Sequence, residues 1–397
     1  MYDAIIVGAR CAGSPTAMLL ARKGYRVLLL DRARFPKDTI STHIVWQPGV
    51  ARLKQWGLLD KVIASNCPPI HTVTFDVGEF TLTGTAPPAE GVTEAYAPRR
   101  TVLDKILVDA AVEAGAELRQ GVSVQELVSD AGRVTGIRGR TGAGSTVAEN
   151  ARIVIGADGV HSLVARNVQA SAYRDIPTLA CWYYAYWSGV PAAGIEFYPR
   201  PGRAIGCIPT NDGRVCIATA WTRKEFGRYR ANLERNYLET LELAPGLAER
   251  VRAGRREERF YGTGDVPNFF RQPCGPGWAL VGDAGYHRDP ITAQGISDAF
   301  RHAAFLAEAI DEAFSGRRPL EEALGVYQRR RDHEVLPMYE FTCQWAALAP
   351  LPPEMQRLLR ALRDNQAEAN RFVGTMAGTV SIPEFFSQEN QGRVVRD

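Results

Sequence analysis

VGARCAGSP, residues 7–15, follows an apolar run that ends at Val7 and leads into a stretch with helical spacing, after which a second apolar run, VLLLD, closes at Asp31. Strand, glycine-rich turn, helix and strand in that order open a βαβ dinucleotide-binding unit. The usual pattern is Gly-x-Gly-x-x-Gly; here Gly8 and Gly13 hold the outer places and Arg10 takes the middle one. The first glycine permits the tight turn, the middle one lets backbone approach a pyrophosphate, and the last lets the helix pack closely on the strand. Arg10 gives up the close approach but leaves the unpaired N–H groups of the helix start, around Cys11, Ala12 and Gly13, facing the phosphates. Its guanidinium can lie against a diphosphate in a charge-assisted contact. The competing reading is a solvent-facing arginine on an ordinary strand–helix turn. Asp31, about 20 residues on and followed by Arg32, is placed to accept ribose hydroxyls.

At 397 residues the chain exceeds one typical domain, so two intimately packed domains or one enlarged domain are expected. Hydrophobic residues, 45% of the total, supply a core, and a net charge of +3 with scattered arginines gives no nucleic-acid footprint. A small-molecule partner is expected instead. The seven cysteines never form a Cys-x-x-Cys pair and the six histidines form no His-x-x-x-His pair, which argues for a reducing compartment and against a disulfide framework or a metal site. The first strand begins within four residues of Met1, leaving no room for a signal peptide. No apolar run reaches the roughly 18 residues of a membrane helix. A cytoplasmic protein without a membrane span is expected, and a homodimer is compatible with this reading.

Downstream, Pro48 to Trp56 reads as a helix capped by Gly57, and IHTVTFDVGEFTLTG alternates like a hairpin turning at Gly78. Val102, Leu103, Ile106, Leu107, Ala110 and Ala111 have the spacing of an amphipathic helix that ends at Gly115. Two strands follow, and ARIVIGADG returns to the parallel sheet. From Ala180 to Trp221 strand follows strand, an antiparallel sheet inserted between segments of the nucleotide domain. GWALVGDAG restores a buried strand, helices are expected over Gln294 to Phe314 and Leu320 to His333, and the stretch from Trp345 to Leu362 also reads as helical. The fold class is therefore α/β. Residues 1–70, 97–170 and 275–335 form a discontinuous Rossmann-like domain, interleaved with a β-sheet substrate domain over 71–96 and 171–274 and followed by a helical segment over 336–397.

Two later stretches narrow the ligand. VIGADGVHSLVAR places Asp158 and Gly159 just after a buried strand, and ALVGDAGYHRDPITAQGISDAF places Gly282 and Asp283 after another, with Pro290 and Gly295 leading into a helix. With the first motif, this ordered set resembles the flavoprotein monooxygenases of the p-hydroxybenzoate hydroxylase fold, over roughly residues 1–335. The resemblance implies non-covalent FAD. Its ADP half would lie on the first motif, Asp158 would support the pyrophosphate side, and Asp283 would hold the ribityl chain. Arg100 matches an arginine at a helix start beneath the cofactor, Val124 lies on the strand that meets the adenine end, and Thr42 belongs to a loop bordering the flavin. N–H groups near Gly295 and Ile296 can stabilise charge on the N1/O2 edge of a reduced flavin.

The chain departs from that pattern at several places. Tyr286 stands where a histidine is usual, Thr292 where many relatives have glycine, and Ser297 and Asp298 change the polarity of the helix start. Ala165 takes the place of a common arginine, with Arg166 one position later. There is no second glycine-rich βαβ unit, which in this family goes with an NAD(P)H that visits transiently.

By resemblance, the activity is hydroxylation or another oxygenation of a small aromatic substrate with NAD(P)H and O2, through a flavin C4a-(hydro)peroxide. Such an intermediate has to be shielded from water. In ACWYYAYWSGV, Trp182, Tyr184 and Tyr186 share one strand face and are the expected pocket lining, with Ile208 and Pro209 of AIGCIP; Tyr183 and Trp187 share the other face. All five could equally be core or dimer-contact aromatics. His43, on the flavin-side loop, and His287 are candidates for proton relay near neutral pH, each also readable as a structural histidine.

Two related chemistries compete. Flavin-dependent halogenases carry Trp-x-Trp-x-Ile-Pro and a lysine between flavin and substrate, whereas AIGCIP has no tryptophan and no lysine occurs between Lys61 and Lys105. Geranylgeranyl-reductase-like enzymes favour Tyr-x-Trp-x-Phe-Pro, whose aromatics are also missing, although FPKDTIS resembles their loop. A non-catalytic flavin-binding protein is the remaining alternative.

Overall fold

The structure, a computed structural model, describes residues 1–395. The last two residues of the expected 336–397 segment lie outside them. Strand β1 (Tyr2–Val7), helix α1 (Gly13–Ala21) and strand β2 (Val27–Asp31) form the opening unit. Every residue of β2 and all but one of β1 are buried, as strands covered on both faces must be. β1 pairs in parallel with β2, Ile5 opposite Leu28, and on its other side with Thr146–Gly156, Ile5 opposite Val154. Trp278–Leu280 adds to the far side of that strand, again in parallel. The carboxyl ends of these strands therefore open along one edge, and the loops that follow Val7, Asp31, Gly156 and Leu280 gather there. This is where an open parallel sheet binds its ligand.

The second sheet runs from Arg255–Arg256 through Ala180–Ser188, Val215–Thr222, Arg203–Pro209 and Ile195–Arg200 to the hairpin Val73–Asp76 and Thr81–Gly84. The hairpin joins by parallel pairing, Thr74 opposite Glu196. One face of this sheet, carrying Tyr183 and Trp187, packs on three helices, Phe226–Ala231, Leu233–Leu241 and Pro245–Ala253. The β-sheet domain expected over 171–274, with its strands expected from Ala180 to Trp221, contains these helices as well. Their apolar positions, the partly buried Leu233 and the buried Tyr237 and Leu241 among them, recur every four residues because they cover the sheet from outside. Within the same stretch Ala172–Ile176 and Asn268–Arg271 leave the large sheet and pair with each other, Asn268–Arg271 also pairing with Tyr286–His287.

The other face packs on the C-terminal helices. Leu320–Ala346 runs thirteen residues past the expected end at His333, with Pro337 inside it, because Val335, Met338, Tyr339 and Phe341 continue the buried stripe. The helix expected over Trp345–Leu362 is broken before Pro353, where a new helix, Pro353–Arg363, begins. Proline suits that first turn, where its missing N–H needs no partner. Helices over Gln366–Ala377, Ile382–Phe385 and Gln388–Val394 are the last elements of the described residues.

Candidate functional site

The turn after β1 is built on close backbone approach. Gly8 has φ +105°, and a Cβ there would collide with the Ala157 carbonyl; one on Gly13 would collide with the carbonyl oxygen of Gly8. Asp31 ties this turn to β2: one carboxylate oxygen accepts from Ala9 N at 2.8 Å and the other from Ala33 N at 2.7 Å. Each oxygen retains a lone pair for a further donor. Arg32 is exposed, and Val124 is buried with Tyr2, Ile5 and Leu28 against the back of the sheet.

Arg10 is neither solvent-facing nor free. Its Nη1 donates to Asp104 Oδ2 at 2.6 Å and to the Lys37 carbonyl at 3.2 Å. Asp104 is fully buried and also accepts from Arg100 Nε at 3.0 Å and Nη2 at 3.1 Å, while the Cys11 thiol lies 3.4 Å from its Oδ1. One carboxylate thus holds two guanidinium groups at the floor of a cleft whose walls include Cys11, Ala12, Arg10 and Arg100. Burial pushes the Cys11 thiol well up, so it stays protonated beside that carboxylate.

Further along the cleft, Gly282 (φ +62°) brings the turn after Leu280 against α1; a Cβ there would lie 2.7 Å from that of Ala12. The next residue, Asp283, faces the cleft and is exposed. Gly295 and Ile296 begin the helix Gly295–Phe314, whose first N–H groups receive no side-chain cap, and both residues line the cleft. Asp158 has one carboxylate oxygen, Oδ1, buried without a partner among the described residues. Its Oδ2 accepts from Leu163 N at 2.7 Å and Val164 N at 3.2 Å, so the side chain serves the start of the helix Leu163–Asn167. Its neighbours Ala157 and Gly159 line the cleft instead.

A narrow apolar chamber adjoins the cleft across Thr42, Trp182, Ala218, Pro290 and Ala293, which border both spaces. Ile208 lines the chamber, and Tyr184 lines the cleft. Two expected lining residues are corrected. Tyr186 is fully buried, its hydroxyl 2.7 Å from His43 Nε2 and the Arg99 guanidinium 4.1 Å from its ring centre. Pro209 is buried at the end of its strand opposite Val215. His43 is corrected as well. Burial, with help from Arg100 and Arg99, lowers its pKa to about 3, so the ring is neutral at physiological pH and acts as a structural partner of Tyr186. His287 borders the cleft, and its Nδ1 is bonded to the Pro267 carbonyl.

Asp289 was missed. It is 1% exposed at the junction of cleft and chamber, and its Oδ1 accepts from Trp182 Nε1 at 3.1 Å and Ile291 N at 3.0 Å. Burial pushes its pKa up to about 7. The Asp-Pro dipeptide at 289–290 was the available signal, because aspartate before a helix-starting proline caps that turn. Asp104, four residues after Arg100 on the same helix, could have been found from that spacing.

Residues 1–342 match the family model described as FAD binding domain. Among curated proteins, the chain is 28% identical over 340 residues to the digeranylgeranylglycerophospholipid reductase of Methanosarcina acetivorans, covering 83% of this chain and 80% of that one. Among solved structures, the myxobacterial chondrochloren halogenase CndH superposes with a TM-score of 0.81 at 22% identity, over 100% of this chain and 97% of the halogenase. PqsL, a probable FAD-dependent monooxygenase from Pseudomonas aeruginosa, superposes with a TM-score of 0.72 at 21% identity, over 94% of this chain and 98% of that one.

The residues present fit FAD. Gly8, Gly13 and Gly282 make a cradle that side chains would fill, two guanidinium groups stand at its floor, and the elongated cleft ends at an uncapped helix start. Among the described residues no helix is long and apolar enough to cross a membrane, and no group of three or more His, Cys, Asp or Glu could hold a metal ion.

Proposed function

Since the chain belongs to the FAD-binding-domain family, we propose that it is an FAD-dependent monooxygenase that uses NAD(P)H and O2 to oxygenate an apolar, planar organic substrate. The observation that carries this reading is the apolar chamber opening directly onto the cleft beside Pro290 and Ala293. Bound FAD supplies the electron transfer and oxygen activation. The chain's own residues bind, orient and shield. Arg10, Arg100 and the helix start after Gly8 hold the diphosphate end, Asp31 the ribose, and Asp283 the ribityl hydroxyls. The first N–H groups of the helix Gly295–Phe314 stabilise negative charge at the far end.

Trp182 stands at the junction and Tyr184 on the cleft side of it, and their rings exclude water from the reacting region while offering flat surfaces to a planar guest. The indole N–H of Trp182 is fixed on Asp289 Oδ1, which sets the ring's orientation. Asp289 itself keeps a proton on its carboxyl on the acid side of about pH 7.

A second reading, reduction of isoprenoid double bonds, is favoured by the reductase relatives and by a chamber lined with aliphatic and aromatic side chains. The two readings separate in one experiment. FAD-loaded protein is supplied with NAD(P)H and a panel of apolar aromatic compounds under isotopically labelled O2, and with geranylgeranylated lipids without oxygen. Label in a product supports oxygenation; saturation of the lipid with no labelled product overturns it in favour of the reductase.

A further inference from the structure

The chamber lies over a gap in one face of the second sheet. Cross-strand partners run in lines over this face: Tyr184 stands opposite Ala218, Ala218 opposite Gly206, Gly206 opposite Phe197, and Phe197 beside Phe75. The next line runs from Trp182 through Ala220 and Ala204 to Pro199. Side chains at paired positions leave a sheet on the same side. The centre of the face therefore holds four adjacent residues, Ala204, Gly206, Ala218 and Ala220, with nothing larger than a methyl group. The reverse face of the same two strands has no such gap, because Ile205, Cys207 and Ile217 fill it in the core beneath the three outer helices.

The strands on either side of the gap carry its walls. Toward the cleft stand Trp182, fixed by Asp289, and Tyr184, stacked on Tyr261 at 5.4 Å. The far wall is Phe197, whose ring lies 5.4 Å from that of Phe75, itself backed by Trp345 at 6.2 Å and Phe372 at 5.2 Å. Three aromatic neighbours hold this wall in place. From Tyr184 to Phe197 the gap spans three strand spacings, about 14 Å between backbones. Less a contact distance of about 3.5–4 Å at each wall, that length takes two fused rings lying across the strands.

We propose that Gly206 and Ala204 set the specificity of the chamber: their missing bulk admits the flat, apolar end of a guest lying across the strands, and Phe197 is the stop that limits its length. The inference rests on the reading that the chamber receives the substrate, and it holds whichever reaction follows.

Calorimetric titration of the FAD-loaded protein with benzene, naphthalene and biphenyl tests this. The parent should bind naphthalene about tenfold more tightly than either of the others. A Cβ on Gly206 meets Ile208 at 3.5 Å and Phe197 at 3.8 Å, ordinary contacts, so Gly206→Val folds; it should weaken naphthalene about tenfold and benzene less than about threefold. Ala204→Val should act in the same direction. Phe197→Ala removes the stop and should reverse the preference, biphenyl gaining about tenfold over naphthalene. Misfolding cannot produce that gain. Parental naphthalene affinity in both valine variants overturns the inference while leaving the chamber as the substrate site, and so does an unchanged order of probes in Phe197→Ala. Equal loss of benzene and naphthalene in Gly206→Val marks collapse of the chamber rather than selection by length, and also overturns it. A parent that binds none of the three overturns the inference together with the reading on which it rests.

Discussion

The cleft and the chamber share a wall at Trp182, Pro290 and Ala293, yet they are made of opposite material. The cleft is bounded by glycines that allow backbone contact, by Arg10 and Arg100 on one buried carboxylate, and by an uncapped helix start. The chamber is bounded by Phe75, Phe197, Ile208 and Trp345, drawn from both the inserted sheet and the C-terminal helices. The difference teaches that binding and selection are separate tasks here. Under the proposed function, a charged, elongated cofactor would be gripped by geometry fixed within a few residues of strand ends, and an apolar guest would be selected by shape assembled from distant parts of the chain.

The comparison predicts where each half breaks. The largest effect is expected at Gly13, where any side chain meets the Gly8 carbonyl: Gly13→Val should lower FAD affinity by more than about a hundredfold, measured by flavin fluorescence titration with the fold checked by circular dichroism. Parental affinity would show that the turn does not approach the cofactor. Asp283→Ala should weaken FAD by about ten- to a hundredfold, the loss of a hydrogen bond to a charged group worth about 1.5–3 kcal/mol. An unchanged dissociation constant in folded protein would remove Asp283 from the ribityl grip.

The junction between the halves should show itself through pH. The carboxyl of Asp289 has a folded pKa of about 7, above its unfolded value near ~3.9, so the folded state binds the extra proton between those limits. Stability is therefore highest below the unfolded pKa and falls as pH rises toward about 7, with a slope approaching about 1.4 kcal/mol per pH unit from this group. Asp289→Asn should flatten that part of the denaturation profile; an identical slope in the variant would place the titration elsewhere.

The smallest effect is expected at Arg10. Asp104 keeps Arg100 when Arg10 is removed, so Arg10→Ala should weaken FAD only several-fold, about threefold to tenfold, and less at high salt. Arg10→Gly, which restores close backbone approach, should bind FAD better than the alanine variant. Alanine with parental affinity at low salt would confine Arg10 to its ion pair with Asp104.

The two halves also differed in how far the sequence revealed them. Gly8, Gly13, Asp31, Asp283 and Gly295 announce themselves because each lies at a strand end or helix start, where local chain geometry dictates residue type. The alternation of 180–188 separated Trp182 and Tyr184 from Tyr183 and Trp187 by face, since strand period is local too. Depth along the strand was not legible: Tyr186 shares the face of Trp182 but is sealed behind His43 and Arg99, contacts that cross 143 and 87 positions. For His43 the structural reading prevails over proton relay, and the sequence could not decide between them because nothing nearby reveals its complete burial or the cations around it. The capping of Leu163–Asn167 by Asp158 Oδ2 was not legible, because a carboxylate after a strand can face either a ligand or the next helix start. The helices over 226–253 went unread because the strand pattern was followed only to Trp221 and the rest of 171–274 was assigned to the sheet.

The separation of the two tasks is tested most directly at Gly206. It lines the chamber, and a Cβ there would meet Ile208 and Phe197 at 3.5 and 3.8 Å, ordinary contact distances, so Gly206→Val fills the chamber without colliding with backbone. Flavin-free parent and variant are titrated side by side with FAD. Equal stoichiometry and affinities within about twofold are predicted, because the substitution lies outside the cleft. A Gly206→Val protein that folds but fails to bind FAD would contradict the account, showing that chamber and cofactor site are one space.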